Sequence, residues 1–264
     1  MRRSRTAALG VGLTVTIGLV LAMPTAAYAA TVVNYVALGD SYASGLGAGS
    51  ESGSCSRSPN AYPVLWAAAH APTSFVNATC AGATTSSVVN GQLSGLNTAT
   101  TLVSITVGGN DVGFSNIMTT CVLQGTDACV AAVQAAENVA QTSLPAMLDN
   151  VYNAISARAP NARVVVMDYP VFYQLGTFCV GLSPTSRAKI NEGINLLDGI
   201  ISSAASRHGF RFGDVRSIFV GHQLCSGGTK WLHALNFLNI NISYHPTAAG
   251  QSGGYTPVFT STAA

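Results

Sequence analysis

The chain has 264 residues, of which only 8% are charged, with twelve Lys or Arg against ten Asp or Glu. Three of the arginines lie within the first five residues, so the remainder sets nine basic side chains against ten acidic ones, a net charge of −1. A chain so nearly neutral has no bulk electrostatic attraction to nucleic acid or to an anionic membrane, and neither is expected as its partner.

Residues 1–30 read as a secretory signal peptide. Arg2, Arg3 and Arg5 form a basic start, an uncharged apolar run follows over 7–23, and Ala27-Tyr28-Ala29 supplies a small-residue cleavage site before Ala30. Arg2-Arg3 hints at twin-arginine export, although its flanks match that signal poorly. The rival reading is a membrane anchor, but a span needs roughly 20 apolar residues and this run is shorter. No stable membrane insertion is therefore expected, and the mature chain, 31–264, is expected to be secreted as one domain and a monomer. Six cysteines, Cys55, Cys80, Cys121, Cys129, Cys179 and Cys225, all lie in that mature part without a Cys-x-x-Cys pair. An even number in an exported chain favours disulfides over zinc. Many pairings are possible. Sequential pairing is expected here, because each bridge then staples one long loop.

Residues 31–38 form a β-rich run stopped by Gly39-Asp40-Ser41, and the Gly- and Ser-rich stretch 45–59 reads as a loop. A helix is predicted over 61–70 and a strand over 73–79, ending at Cys80-Ala81-Gly82. A third strand over 101–107 stops at Gly108-Gly109-Asn110-Asp111. Residues 128–159 are helical by propensity, with Pro145 as a break. The run Val164-Val165-Val166-Met167 suits a strand covered on both faces. Ser183-Pro184 opens a helix that runs to His208 with Ile190, Ile194, Leu197 and Ile201 on one side, and 210–215 reads as a fifth strand. Strands alternating with helices imply a parallel sheet with helices on both faces. Ligand sites in such folds lie just beyond the carboxyl ends of the strands.

Three of the strands end in small polar clusters, and these carry the candidate chemistry. A serine hydroxyl attacks only if a base takes its proton and donors meet the oxyanion. Ser41 sits where a strand ends in a glycine that permits a sharp bend, and a helix start there would aim N–H groups at an anion. His245, in Ser243-Tyr244-His245-Pro246, is a candidate base. His70 and His208 instead suit helix ends, and His222 and His233 lie in loops without metal spacing.

Gly39-Asp40-Ser41-Tyr42, Gly82, Gly108-Gly109-Asn110-Asp111 and His245, in this order, resemble the four sequence blocks of the SGNH (GDSL-type) hydrolase family. The glycine-rich stretch from Gly39 to Gly49 and the cysteines resemble its secreted actinobacterial lipases and phospholipases A1. The resemblance implies a three-layer α/β/α fold with a central, mostly parallel five-stranded sheet. It implies Ser41 as nucleophile, His245 as general base and then acid, and an oxyanion hole from the N–H groups of Ser41 and Gly82 with the Asn110 amide. No cofactor or metal is implied. One position departs from the pattern: most members carry an Asp three residues before the histidine, where this chain has Ile242. A Ser41–His245 dyad is therefore expected, its imidazole held by the backbone carbonyl of Ile242 or Ser243. A distant acid, Asp214, is the alternative.

Gly250-Gln251-Ser252-Gly253-Gly254 fits Gly-x-Ser-x-Gly, but neither an acid nor a histidine follows it, so it is read as a loop and not as a nucleophile elbow. Gly45-Leu46-Gly47 only faintly resembles a dinucleotide fingerprint. Asp40 and Asp111 are read as turn and cap residues. Tyr42, Phe114, Val171, Phe172 and Ile242 are candidate walls of an acyl cleft. The expected activity is hydrolysis of a carboxylic ester, with a lipid as the substrate class and phospholipid included. Removal of acetyl groups from polysaccharide, or lipid or glycan binding without turnover, are the alternatives.

Overall fold

In the computed structural model, the residues described are 32–264 together with Met1, Thr6, Ala7 and Gly10. Apart from those four positions, the signal-peptide reading of 1–30 lies outside the described residues. Five strands form one parallel sheet: β1 (Asn34–Gly39), β2 (Ser74–Asn77), β3 (Leu102–Thr106), β4 (Arg163–Met167) and β5 (Arg211–Gly213), in the order β2-β1-β3-β4-β5. Central β1, β3 and β4 are covered on both faces, which is why their sequences run almost continuously apolar. The strands fall within a few residues of their predicted ranges.

Helices cover both sides of the sheet. The chain places α1 (Ser41–Ser44) and α2 (Tyr62–His70) after β1, α3 (Thr85–Gly91) after β2, and α4 (Phe114–Leu123), α5 (Gly125–Thr142) and α6 (Leu144–Arg158) after β3. The long α7 (Pro184–Arg207) follows β4, and α8 (Thr256–Ala263) ends the chain. One layer pairs α2 with α8; in the other, α6 packs on α3, α5 and α7. Pro145 falls in the first turn of α6, where its missing N–H costs nothing, so the predicted break becomes a helix start. Ser183 caps α7 by accepting the N–H of Ser186, with Pro184 in the first turn.

The core on the α2/α8 side is aromatic. Tyr35 of β1 lies 5.2 Å from Trp66 and 5.5 Å from Phe259, centroid to centroid, and Tyr62 stacks on Tyr255 at 5.4 Å. Their hydroxyls are not orphaned: Tyr35 Oη meets Ser104 Oγ at 2.7 Å, and Tyr255 Oη donates to the Asp168 carbonyl at 2.8 Å. Opposite, Leu144, Leu148, Val151 and Ile155 of α6 are fully buried. Burying a side chain of that size contributes about 1.5–3 kcal/mol.

The segment Gly250–Tyr255 differs from the predicted loop: it is a π-helical turn leading into α8. A Cβ on Gly250 would stand 2.4 Å from the Trp231 carbonyl oxygen, and one on Gly254 would stand 2.3 Å from the Phe219 ring. These glycines therefore serve close packing. Three disulfides join Cys55 to Cys80, Cys121 to Cys129 and Cys179 to Cys225. The first ties the loop after α1 to the end of β2, where the Ala81 N–H also donates to the Cys55 carbonyl at 3.0 Å.

The strand order reverses direction between β1 and β3, since the chain leaves β1 for β2 on one side and returns to β3 on the other. A crevice opens at such a point beyond the carboxyl ends. Ser41 and Asn110, which follow β1 and β3, flank it. Removing the Cys55–Cys80 bridge with paired alanines is expected to lower unfolding free energy by about 2–4 kcal/mol, measured by urea denaturation of the oxidised protein.

Candidate active site

Ser41 is the first residue of α1 and is buried except for its outer edge. The turn that delivers it depends on Gly39 at φ +125°, where a Cβ would lie 2.4 Å from the Thr106 carbonyl oxygen. Only glycine fits both that angle and that approach. Asp40 caps α1 by accepting the Tyr42 N–H at 3.0 Å. Gln92 fixes the strand end beneath, accepting the Gly39 N–H at 2.7 Å and donating to the Gly39 carbonyl at 2.9 Å.

His245 arrives from the far end of the chain, and its Nε2 lies 2.8 Å from Ser41 Oγ. Its Nδ1 lies 3.1 Å from the Ser243 carbonyl oxygen. A carbonyl can only accept, so the proton sits on Nδ1 and the lone pair of Nε2 faces the serine hydroxyl, which donates. Of the two carbonyls expected from the sequence, that of Ser243 faces Nδ1, while that of Ile242 accepts the backbone N–H of His245 at 3.1 Å. Asp214 is engaged elsewhere, its Oδ2 2.6 Å from Arg216 Nη2. Among the described residues no carboxylate bonds the imidazole. Burial pushes the His245 pKa down to about 4, against the raising effect of the Ser243 carbonyl and with a further lowering from nearby His233.

The carbonyl of Ser243 reaches back to Nδ1 because Tyr244 takes a left-handed backbone, φ +68°. For a bulky residue this costs on the order of 1–3 kcal/mol and needs support. The Tyr244 N–H donates to the His233 carbonyl at 2.8 Å, and the His233 N–H donates to the His245 carbonyl at 2.9 Å. Tyr42 Oη donates to the Tyr244 carbonyl at 2.8 Å, and the Tyr244 ring stacks on Phe172 at 5.6 Å. His233 also binds the Gly47 carbonyl through Nε2 at 2.7 Å, tying the glycine-rich loop to the same segment.

Gly82 has φ +80° and lines the same cleft as Ser41, Asn110 and His245. Among the described residues no acceptor takes the backbone N–H of Ser41 or Gly82. Asn110 donates one Nδ2 hydrogen to the Ala83 carbonyl at 3.0 Å, which fixes its amide plane and leaves the other hydrogen for the cleft. Asp111 accepts both the N–H of Thr85, at 3.0 Å, and its hydroxyl, at 2.7 Å. The loops after β2 and β3 are thereby locked to each other.

Tyr169, beyond β4, carries no catalytic motif in the sequence, yet it bridges two of the blocks. Its hydroxyl donates to Asp40 Oδ2 at 2.5 Å and accepts the Gly109 N–H at 3.1 Å. Burial pushes the Asp40 carboxyl up to about 7, opposed by the Tyr169 hydroxyl and the Tyr42 N–H. Asp40 is thus a structural acceptor that holds Tyr169. Its sequence signal was only its place, just past the carboxyl end of a strand beside the other clusters.

The cleft over these residues has a volume of about 840 Å³. Leu46, Phe114, Met118 and Ile242 line it, and Leu123, Phe237 and Ile240 stand on its lip, 70%, 77% and 54% exposed. Of the other predicted walls, Tyr42 and Phe172 lie deeper, behind Ser41, and Val171 lines none of these spaces. No group of three His, Cys, Asp or Glu among the described residues is placed to hold a metal ion.

The GDSL-like lipase/acylhydrolase family matches residues 37–252. The chain is 56% identical over 236 residues, 88% of each chain, to Lipase 1 of Streptomyces coelicolor. Among solved structures, it matches the extracellular lipase of Streptomyces rimosus at 53% identity and a TM-score of 0.85, over 88% of this chain and 100% of that one. It matches phospholipase A1 of Streptomyces albidoflavus at 52% identity and a TM-score of 0.86, over 88% and 99%. An ester hydrolase rather than a binding module follows from these likenesses, and the chain belongs to the GDSL-like lipase/acylhydrolase family.

Proposed function

We propose that the protein is a secreted lipase or esterase that works through an acyl-enzyme on Ser41, with His245 as its base in a Ser-His dyad. The observation that carries this reading is the 2.8 Å contact of His245 Nε2 with Ser41 Oγ, with Nδ1 held by the Ser243 carbonyl. Ser41 Oγ attacks the ester carbonyl as its proton passes to Nε2. The oxyanion is received by the N–H groups of Ser41 and Gly82 and by Asn110 Nδ2, each such donor supplying about 3 kcal/mol toward the transition state. Collapse expels the alcohol, which takes the proton from His245. Water then attacks the acyl-enzyme by the same route in reverse.

A carbonyl dipole in place of a carboxylate fixes the tautomer but neutralises the imidazolium less. Together with burial, this keeps the resting histidine a weak, neutral base. The apolar cleft and its exposed lip, Leu123, Phe237 and Ile240, favour an acyl chain presented at a lipid surface over an acetylated sugar. The likeness to a phospholipase A1 makes diacyl phospholipid a candidate substrate beside simple lipid esters. Secretion is supported by the basic and apolar start of residues 1–30, by three disulfides and by likeness to an extracellular lipase.

A fluorophosphonate is expected to add once to the wild-type protein and not to Ser41→Ala, read by intact mass. Folded protein that takes no adduct contradicts the reading. The pH dependence follows from the lowered histidine pKa. Only neutral His245 accepts the serine proton, so kcat/KM on a soluble ester should hold from neutral pH down to about 5 and fall through about 4. Between that pKa and the ordinary value near 6.5, the unfolded chain binds a proton the folded one refuses. Stability therefore declines over the same window as pH falls. An acid limb near the ordinary histidine value would contradict a buried, carbonyl-held base.

A further inference from the structure

Among the described residues no lysine or arginine lines the cleft over Ser41, and Glu51 is the one carboxylate on it. Glu51 sits on the glycine-rich loop after α1, where its Oε1 accepts the N–H of Gly47 at 2.8 Å and that of Gly49 at 2.9 Å. The loop beneath is fixed one carbonyl at a time. His233 Nε2 donates to the Gly47 carbonyl at 2.7 Å, Asn60 Nδ2 to that of Ala48 at 2.9 Å, and the Ser58 hydroxyl to that of Gly49 at 2.5 Å. A Cβ on Gly47 would stand 3.2 Å from the Cβ of His245, so this loop packs directly against the histidine.

Two N–H bonds to one oxygen explain an acceptor at position 51 but not its charge, since the amide oxygen of Gln would accept the same pair. Among the described residues Glu51 Oε2 takes no hydrogen bond from another residue, and no Lys or Arg forms an ion pair with the carboxylate. Burial raises the Glu51 pKa, but the N–H groups of its own backbone, Gly49 and Gly47 outweigh this and hold it below the ordinary value. The carboxylate is therefore ionised at neutral pH. An unpaired charge in a cleft with apolar walls acts on a ligand more strongly than one on open surface.

We propose that Glu51 selects the head group of a phospholipid substrate: its free Oε2 receives the ammonium of a choline or ethanolamine head group, and head groups that carry phosphate alone are repelled. This rests on Ser41 acting on phospholipid esters. Glu51→Gln removes the charge and keeps the acceptor for Gly47 and Gly49, so it tests the charge without dismantling the loop. The measure is the ratio of kcat/KM for dioleoylphosphatidylcholine to that for dioleoylphosphatidylglycerol, each dilute in micelles of a neutral detergent. The acyl chains are identical, and a uniform loss of activity cancels from the ratio.

At low salt the ratio should fall by about threefold or more in Glu51→Gln. The ethanolamine lipid should lose ground to the glycerol lipid by a similar factor. The wild-type protein supplies a second test: its preference for choline should shrink between about 0.01 M and 0.1 M salt, where the screening length shortens from about 30 Å to about 10 Å. Asp149→Asn removes an equal charge from α6, outside the cleft, and should leave the ratio unchanged. A ratio that Glu51→Gln does not move, or an equal fall in Asp149→Asn, overturns the head-group site while leaving Ser41 as nucleophile. Cleavage of simple esters without cleavage of any phospholipid overturns it too. Folded protein that forms no fluorophosphonate adduct at Ser41 instead overturns the dyad, and the head-group site with it.

Discussion

The hydrogen bond from His245 Nδ1 to the Ser243 carbonyl, 3.1 Å long, is the constraint on which the proposed chemistry depends. Without it the imidazole has no fixed tautomer, and Nε2 has no reason to offer a lone pair to Ser41. Its donor and acceptor are two residues apart, and such neighbours meet this way only because Tyr244 between them is turned into a left-handed backbone. The strain is held by contacts from three separate parts of the chain: His233, Tyr42, and the adjacent pair Phe172 and Tyr173. In the proposed dyad an over-determined loop takes the place of a buried acid. That substitution avoids the desolvation a second carboxylate would suffer beside Ser41, where burial already pushes Asp40 up to about 7.

Buried amides and hydroxyls carry the same logic beneath the site. Gln92 closes the end of β1, and Gln251 accepts the Tyr62 N–H while donating to the Tyr42 carbonyl, 2.9 Å each. Tyr169 joins the turn after β3 to Asp40. Both the oxygen and the nitrogen of each amide, and the Tyr169 hydroxyl, have partners, and so they fix geometry at little cost. The result is three loop ends, after β1, β2 and β3, registered to one another by neutral or singly charged side chains.

Much of this architecture was legible in the sequence, for identifiable reasons. Strands buried on both faces must be apolar throughout, and β1, β3 and β4 each stop abruptly at a glycine or polar residue, so their ends and the clusters after them stood out. Ser41, Gly82, Asn110 and His245 line one cleft because all four lie in such clusters or in the C-terminal loop that folds over them. Helices α3 and α4 were not legible. Thr84 sets α3 through a local cap, and α4 is held by burial of Met118 and a bridge from Cys121 to Cys129, none of which produces an apolar repeat. Tyr169, Gln92 and Gln251 escaped because a lone tyrosine or glutamine beside a glycine, serine or proline looks the same in sequence whether it bonds water or a backbone fifty or more residues away. Gly250–Tyr255 was misread as a loop because its glycines answer to Trp231 and Phe219, contacts invisible in local sequence. Which carbonyl faces Nδ1 was not legible, since those of Ile242 and Ser243 both lie within reach along the chain.

The central claim is that a neutral imidazole, protonated on Nδ1 and held by a backbone carbonyl, is the resting base. Nitrogen-15 NMR of protein labelled at histidine tests it most directly. His245 should show a protonated Nδ1 and an unprotonated Nε2 from neutral pH down to about 5, without titrating near the ordinary histidine value of about 6.5. A doubly protonated ring in that range, or a proton resident on Nε2, would contradict it.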